Sequence, residues 1–478
     1  MNRLMLVATL ALAVVIASCT GGETTVTPAG STGSTVAPDS ADSTPTTLSD
    51  DRTNRPDNST LPVVFDQPVS GLSDAQLDTF INGQELFNQV WVPAGSTEEG
   101  PQGLGPLFNA SGCAVCHPSS GRRQVPPEGE LIDVGLIIRV SEPGVDPVTT
   151  GPIPEPTVGD QLQDKATGDI EPEGRVFTNY VTQRGTFPDG TPFEILWPTV
   201  NIRQPTQGPL VPGVQFSARI GAQLIGTGLL EAIPEETILA LADPNDANGD
   251  GISGRPNFVF DPRSEEIVLG RFGWKANVAE LDIQVANAFH GDIGITSSLV
   301  PGGNCVASQT FCDDVAVDGP EVSDADLADI IDYVRLLGVT EPRLEGNEPA
   351  QRGQEHFREF GCAACHTETL TTGPSDIEAI SEQTIAPYTD LLLHDLGFDM
   401  GDDRPDFVAT GNEWRTPPLW GLGLIPVEND RGFLHDGRAR TLEEAVLWHG
   451  GEGSTSRANY IRADASEREE LLEFLRAL

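Results

Sequence analysis

The pattern Cys-x-x-Cys-His occurs twice in this chain of 478 residues, and it constrains the fold more than any other feature. In this motif the two thiols add to the vinyl groups of a haem, and the histidine becomes an axial ligand of the iron. A redox-active Cys-x-x-Cys pair and a zinc site are the alternatives, but neither requires the adjacent histidine. We therefore predict two covalently bound haems. Their attachment residues are Cys113, Cys116 and His117 for the first haem, and Cys362, Cys365 and His366 for the second.

A second pattern, five residues long, also occurs twice, with one copy before each motif. Gly-Gln-Glu-Leu-Phe occupies residues 83–87, and Gly-Gln-Glu-His-Phe occupies residues 353–357. Ser73 and Asp74, which favour a helix start, open the segment that leads into the first copy. The two copies indicate an internal duplication of one haem-binding unit rather than a short tandem array.

The chain divides most naturally near residues 340–350. Residues 323–337 have the spacing of an amphipathic helix that Gly338 stops. Before it, from about Gly121 to Pro262, the sequence is rich in Gly and Pro, with short β-like runs such as Leu131–Val140. We predict a mainly α fold. It would contain two cytochrome c-like haem domains, residues 63–345 and residues 346–478, the first enlarged by loops and short β-strands.

The N-terminal residues have the pattern of an export signal. Arg3 precedes the apolar run Leu4–Ile16, which is too short to span a bilayer comfortably, so residues 1–18 are predicted to be a signal peptide. The following Cys19 ends a segment that resembles a bacterial lipobox, which implies lipidation of its thiol. Ordinary cleavage nearby, leaving a free Cys19, is the alternative. Residues 19–62 are rich in Ser, Thr, Pro and Gly and are predicted to form a disordered tether. We therefore expect an exported protein attached to the cell envelope by lipid.

The charge balance narrows the class of partner. Acidic side chains outnumber basic ones 72 to 28, which makes nucleic acid an unsuitable partner. A solvated acidic surface is the simplest interpretation, and a docking face for a basic protein is the alternative.

Two further motifs have both a structural and a functional interpretation. Cys305 and Cys312 lie in a Gly-rich loop, where an exported protein is expected to form a disulfide, although a catalytic dithiol is the alternative. A second loop resembles the first half of a calcium-binding loop, with Asn257 near the closing position. Without the usual closing Glu, a polar turn is equally consistent with this loop. Its candidate ligands are Asp246, Asn248 and Asp250.

Segments in both halves resemble a known family. Residues 416–420, Thr-Pro-Pro-Leu-Trp, and residues 433–446 are similar to the second domain of bacterial di-haem cytochrome c peroxidases. The similarity to the subgroup of di-haem or "thiol" oxidoreductases is closer. The stretches similar to that subgroup are residues 103–109, 249–255, 273–276 and 291–297. Together they cover nearly everything after the tether, and they imply an oxidoreductase with two c-type haems.

The resemblance also implies a second axial ligand for the second haem. In the peroxidases a Met shortly after a His-Asp-Gly segment takes this place, and His449 stands at the matching position. The second haem would then have imidazole ligands on both sides, His366 and His449. The alternative is that His449 only ends its helix, which would leave Met400 or His394 as ligand. By the same resemblance, His435 lies near the haem edge and is not an axial ligand.

In the first domain the family has a Trp between the haems and, ten residues later, a Gln on the open face of the first haem. Trp274 and Gln284 match these residue types and this spacing. The alternative for both is ordinary packing or surface exposure. His290 and Asp292 follow, and either is a candidate for a proton donor or a sixth ligand.

Three functions are consistent with this sequence. The first is a peroxidase-like enzyme with an open first haem for hydrogen peroxide and a second haem that relays electrons. Replacing Met by His at the second haem lowers its potential and weakens this interpretation. The second is an electron carrier with two six-coordinate haems, and the third is an oxidase of a protein or a sulfur compound. The expected electron source is a donor protein or a quinol pathway.

Overall fold

The computed structural model describes residues 65–123, 125, 135–312, 319–425 and 432–478. The predicted signal peptide, the tether and Cys19 lie outside these residues. The described residues group into one compact unit. No helix in the described part of the chain combines the length and the apolar character needed to cross a membrane.

Helices are distributed over the whole described chain. The α-helices of the described residues are α1 (Asp74–Phe87), α2 (Cys113–Cys116), α3 (Thr227–Glu231), α4 (Glu235–Leu241), α5 (Leu281–Ala288), α6 (Asp324–Arg335), α7 (Glu348–Glu359), α8 (Leu442–Trp448), α9 (Ser454–Arg462) and α10 (Ala465–Ala477). Ser73 and Ser323 cap α1 and α6, as the sequence predicts.

Strands form small sheets between these helices. The strands of the described residues are β1 (Val92–Pro93), β2 (Gln102–Leu104), β3 (Leu107–Phe108), β4 (Leu136–Ser141), β5 (Gln161–Leu162), β6 (Lys165–Ala166), β7 (Arg175–Thr186), β8 (Pro192–Arg203), β9 (Gln215–Ile220), β10 (Phe258–Asp261), β11 (Glu266–Leu269), β12 (Leu370–Thr371), β13 (Thr384–Ile385), β14 (Leu393–Asp395) and β15 (Glu413–Arg415).

The prediction of a mainly α fold is wrong. The structure contains 29% helix and 20% strand. The main physical reason lies in β7 and β8, whose β-branched and aromatic residues favour extended, paired backbone over helix. Sequence reasoning recognised only short strands in this stretch, whereas β7 and β8 each extend over 12 residues.

Helices α1 and α6 form the core of the first haem-binding half. They cross at Gly83, where an added Cβ would lie 2.0 Å from the carbonyl oxygen of Asp329. Glycine is therefore required for this close approach. The rings of Phe80 and Phe87 lie 4.8 Å and 5.1 Å from the ring of Tyr333 on α6.

Helices α7 and α10 repeat this arrangement in the second half. A Cβ on Gly353 would lie 1.9 Å from the carbonyl oxygen of Glu470. The ring of Phe357 lies 5.2 Å from that of Phe474. In each half, the helix that carries the duplicated sequence precedes the Cys-x-x-Cys-His motif and crosses a helix that follows the motif.

A three-stranded sheet with the order β5-β4-β9 forms part of the first half. Its register pairs Ile138 with Leu162 on one side and with Ala218 on the other. The buried side chains of Ile138, Leu162 and Ile220 belong to the same hydrophobic cluster as Trp274. The sheet therefore supports the segment that carries Trp274.

Strands β7 and β8, with the turn between them, form a long antiparallel hairpin, residues 175–203, which we call the arm. Phe187, at its turn, is 2% exposed and belongs to the core of the second half. Its ring lies 6.1 Å from that of Tyr460. The arm therefore begins among the residues of the first half and ends in the second.

A disulfide between Cys305 and Cys312 closes a loop beside the start of the arm. Gln309 of this loop donates a hydrogen bond of 2.5 Å to the carboxyl of Glu173. The same carboxyl accepts a bond of 2.6 Å from the backbone N–H of Gln163. The loop and Glu173 together anchor the residues from which the arm extends.

Candidate functional site

A cavity with an empty volume of about 1670 Å³ surrounds the first Cys-x-x-Cys-His motif. Helix α2 carries both thiols, and His117 follows at its C-terminal end. Helix α5 contributes Gln284 to the lining, and the turn after α5 contributes Asp292. The structure therefore brings the first motif and two of the predicted active-site residues together.

The imidazole of His117 is held by neighbouring backbone. Its Nδ1 lies 3.3 Å from the carbonyl oxygen of Gly121. Since a carbonyl only accepts, Nδ1–H donates and Nε2 keeps its lone pair. A Cβ on Gly221 would lie 2.7 Å from Cε1 of His117, so this glycine makes room for the ring. Such contacts orient a histidine for metal ligation.

The motif thiols do not have the environment of reactive dithiols. All four are free of disulfides. Burial is the main cause that raises the pKa of Cys113, Cys116 and Cys362 to about 12. They are thus protonated at neutral pH, unlike redox-active thiolates. Among the described residues, no group of three or more His, Cys, Asp or Glu is arranged to hold a metal ion.

Asp292 and His290 lie on the same turn but differ in position. Asp292 lines the first cavity, and its carboxyl accepts a hydrogen bond of 2.8 Å from Gln161. Burial raises the pKa of Asp292 above its usual range. His290 is absent from the described lining of this cavity. Of the two predicted candidates, Asp292 is therefore the one with access to a ligand there.

A second cavity, with an empty volume of about 1370 Å³, surrounds the second motif and also contains His449. Nδ1 of His366 lies 2.8 Å from the carbonyl oxygen of Tyr388. Nδ1 of His449 lies 2.8 Å from the carbonyl oxygen of Ala445. Both histidines must donate through Nδ1, which leaves each Nε2 with a lone pair for an iron.

His394 lines the same cavity, but both of its ring nitrogens contact carboxylates. Its two ring nitrogens each lie 2.8 Å from a carboxylate oxygen, one of Asp390 and one of Glu452. Burial opposes charge on the ring, but the hydrogen bonds with Asp390, Cys365 and Glu452 outweigh it and raise the pKa of His394 to about 12. A doubly protonated imidazole has no lone pair to offer iron.

Met400 and His435 also belong to the lining of the second cavity. Sδ of Met400 lies 3.9 Å from a guanidinium nitrogen of Arg438. The ring of His435 is stacked on Trp414 with 3.6 Å between centroids. Burial holds the pKa of His435 well below its usual range, so this ring is neutral.

The two cavities share a wall. The residues that line both are Arg122, Trp274, Arg415, Pro417 and Pro418. Trp274 is 8% exposed, and its indole N–H donates a bond of 2.8 Å to the carbonyl oxygen of Ile220. The Trp predicted to lie between the two haems thus lies between the two cavities.

The arginines of this wall fit the acidic groups of a haem. Arg122 donates to the carbonyl oxygen of Gly432 and to the side chain of Gln223. Arg415 donates to the carbonyl oxygen of Gly273. Neither has a salt bridge to a described residue, and burial lowers the pKa of both to about 10. Asp390 offsets part of the burial cost of Arg415, and haem propionates in the two cavities would supply further carboxylates for both arginines.

Sequence reasoning missed both of these arginines. Arg122 lies five residues after the first motif, and Arg415 directly precedes the Thr-Pro-Pro segment. Nearness to recognised motifs was the only available signal. An arginine is exposed by default, and no pattern in one sequence reveals that it is buried.

The calcium-like loop uses its oxygens internally. The carboxylate of Asp246 accepts from the backbone N–H of Gly251, and the side chain of Asn248 accepts from that of Asp250. Asn257 does not close the loop, because it is buried and donates to backbone oxygens elsewhere. Calcium binding by Asp246, Asn248 and Asp250 stays a prediction.

The chain was compared with known families, curated proteins and solved structures. A family model described as "Di-haem oxidoreductase, putative peroxidase" matches residues 44–478. Hydrazine synthase from Kuenenia stuttgartiensis is 15% identical, with 91% of this chain and 100% of that chain covered and a TM-score of 0.34. A MauG-like protein associated with microbial copper homeostasis is 15% identical, with 53% of this chain and 89% of that chain covered and a TM-score of 0.28. At these TM-scores neither structure supports a functional argument. No curated protein matches the chain.

Proposed function

Because the chain belongs to the family of di-haem oxidoreductases, we propose that it is a peroxidase-like enzyme whose two haem sites have different tasks. The first site takes hydrogen peroxide, and the second passes electrons. The supporting observation is the difference between the cavities. His449, with a free Nε2, lines the second cavity, whereas the described lining of the first contains no His or Met besides His117.

Covalent, axial and charged contacts hold the haems. The motif thiols would form thioether bonds to the vinyl groups, and His117 and His366 would each supply an imidazole ligand to an iron. His449 would supply a second imidazole to the iron held by His366. Arg122 and Arg415 would neutralise the propionates at the shared wall. When bound, a haem supplies the redox-active iron at which peroxide is reduced.

Two side chains of the first cavity serve proton movement and binding. Reduction of peroxide to water consumes protons as well as electrons, so a nearby acid is needed. Asp292 retains a proton to a higher pH than an ordinary Asp, because burial raises its pKa. Gln161 orients its carboxyl through the bond of 2.8 Å. Gln284 offers an amide that can orient peroxide by hydrogen bonding.

Trp274 provides the connection between the sites. Its indole ring forms part of both linings, and the guanidinium of Arg122 lies 5.9 Å from the ring centre. An aromatic side chain in a shared wall is a suitable medium for electron transfer between the two haems. We therefore assign Trp274 to electron relay.

The pair of histidine ligands proposed for the second haem, His366 and His449, favours a second function, that of an electron carrier. A haem with two histidine ligands has a lower potential than one with Met and His, and is a weaker store of oxidising equivalents. In a carrier, both haems are six-coordinate and neither binds peroxide. Binding of an added ligand such as cyanide therefore distinguishes a peroxidase-like enzyme from an electron carrier.

Peroxide turnover by the purified di-haem protein, with a reduced artificial electron donor, tests the proposal. We expect turnover that cyanide inhibits. Asp292→Asn should lower kcat by about 100-fold or more, as the loss of a general acid does. Asp169→Asn, at an exposed position, is the matched control. A wild-type protein that binds no cyanide and consumes no peroxide would contradict this function and favour the carrier.

We also propose that the protein is exported and anchored through a lipid on Cys19. Its electrons then come from a donor protein or a quinol pathway at the cell envelope. The sequence features of residues 1–19 support this proposal. Cys19→Ser should move the protein from the membrane fraction to the soluble fraction, whereas an unchanged distribution would contradict the anchor.

A further inference from the structure

The arm, residues 175–203, contacts the helix that carries His449 toward the second cavity. Helix α8 ends at Trp448, and His449 follows directly. We propose that the arm is a positioning element that keeps the imidazole of His449 in place in the second cavity. This inference rests on the proposed function, in which His449 is an axial ligand of the second haem.

A hydrogen bond joins the arm to the first turn of α8. The backbone N–H of Leu196 donates a bond of 2.6 Å to the carboxylate of Glu444. Glu444 is 2% exposed, and it also accepts a bond of 2.9 Å from the backbone N–H of Arg440. Because Glu444 is buried, moving α8 away from the arm would break the hydrogen bond from Leu196, although the carboxylate would keep its salt bridge of 2.8 Å with Arg440.

An aromatic contact joins the arm to the last turn of α8. The rings of Trp197 and Trp448 lie 5.3 Å apart. Trp448 is 1% exposed, and the guanidinium of Arg438 lies 4.7 Å from its ring. A fully packed Trp448 leaves its neighbour His449 little freedom. Nδ1 of His449 is in turn bonded to Ala445 of the same helix.

Both ends of the arm are anchored. At the turn, Asp189 forms a salt bridge of 2.6 Å with Arg468, whose guanidinium also lies 3.9 Å from the ring of Phe187. At the other end, Glu173 is bonded to the disulfide loop through Gln309. The arm thus forms a rigid connection from the first half of the chain to α8, and residues far from His449 in sequence determine its position.

Substitution of Trp197 tests this inference. In Trp197→Ala the helix loosens, and the second ferric haem becomes partly high-spin, as measured by electron paramagnetic resonance. Its cyanide affinity should rise by about tenfold, the scale of one lost aromatic contact. Trp197→Phe, which keeps an aromatic ring, should restore the wild-type spectrum. Val181→Ala, on the arm at a side chain that is 63% exposed, is the control and should change nothing.

Comparison with His449→Ala keeps the two proposals distinguishable. If His449→Ala makes the second haem high-spin but Trp197→Ala leaves it low-spin with unchanged cyanide affinity, the arm does not position His449. If His449→Ala itself has no effect, the ligand assignment of the proposed function fails. Glu444→Ala provides a second variant in case Trp197→Ala does not fold. A wild-type spectrum and cyanide affinity in Glu444→Ala would overturn the positioning role.

Discussion

Lys275 is a buried cation, and the acceptors of its ammonium hydrogen bonds are oxygen atoms of residues 402–411. Its ammonium lies 2.9 Å from the carboxylate of Asp402, and 3.0 Å and 2.8 Å from the carbonyl oxygens of Arg404 and Thr410. It also lies 4.3 Å from the ring of Trp414, which lines the second cavity. With these hydrogen bonds the ammonium of Lys275 stabilises residues 402–411, which have little regular secondary structure.

Replacing this lysine should be strongly destabilising. Lys275→Met leaves the carboxylate of Asp402 and several carbonyl oxygens without their buried partner, and we expect a loss of about 3–5 kcal/mol in the free energy of unfolding. Denaturant unfolding of the haem-loaded protein measures it. Arg184→Met, at a side chain that is 73% exposed in a surface salt bridge, is the control and should have little effect. Equal stability of both variants would contradict the structural role of Lys275.

Glu173 predicts a pH dependence of stability. Burial is the largest cause that raises the pKa of Glu173 to about 8. The folded protein therefore binds a proton that the unfolded chain releases near pH 4.5, the usual value. Between pH 5 and 8 the stability should fall as pH rises, by up to about 1.4 kcal/mol per pH unit from this group. Unfolding curves of Glu173→Gln should lack this contribution, whereas an unchanged pH slope would contradict it.

The helix crossings were the elements most accessible to prediction, since the same Gly-Gln-Glu-x-Phe pattern, with Gly and Phe four residues apart, occurs ahead of both motifs. The arm was not accessible, because β7 and β8 pair with each other and then pack on helices about 250 residues away. A sequence pattern indicates a strand, but it does not reveal which distant surface the strand covers. Arg122 and Arg415, the arginines of the shared wall, were not predicted because the sequence does not reveal that they are buried.

The crossing of α7 and α10 should be intolerant of a methyl group. Gly353→Ala places a Cβ against the backbone of Glu470, forces the helices apart and opens the second haem site. The haem content per chain, measured as the pyridine haemochrome, should fall from two toward one. Glu355→Ala, at an exposed position of the same helix, should retain two haems. Full haem content in Gly353→Ala would show that the close approach is not required.

At the scale of the whole molecule, the two cavities are unequal sites joined by one wall. Both linings contain Trp274, Arg122 and Arg415. A change of charge in one cavity therefore changes the electrostatic potential in the other. The arm adds a second connection, between the first half and the helix of His449. The family predicted from the sequence is confirmed by the match over residues 44–478. The proposed division of tasks between the haems is expected from the family resemblance, and the different linings of the two cavities support it.

Electron paramagnetic resonance of the ferric protein, with and without His449→Ala, tests that division most directly. We expect one high-spin haem and one low-spin haem per chain in the wild type, and two high-spin haems in His449→Ala. Cyanide should convert the high-spin signal of the wild type to low-spin. Two low-spin haems in the wild type, or an unchanged spectrum in His449→Ala, would contradict an open first site and a closed second one.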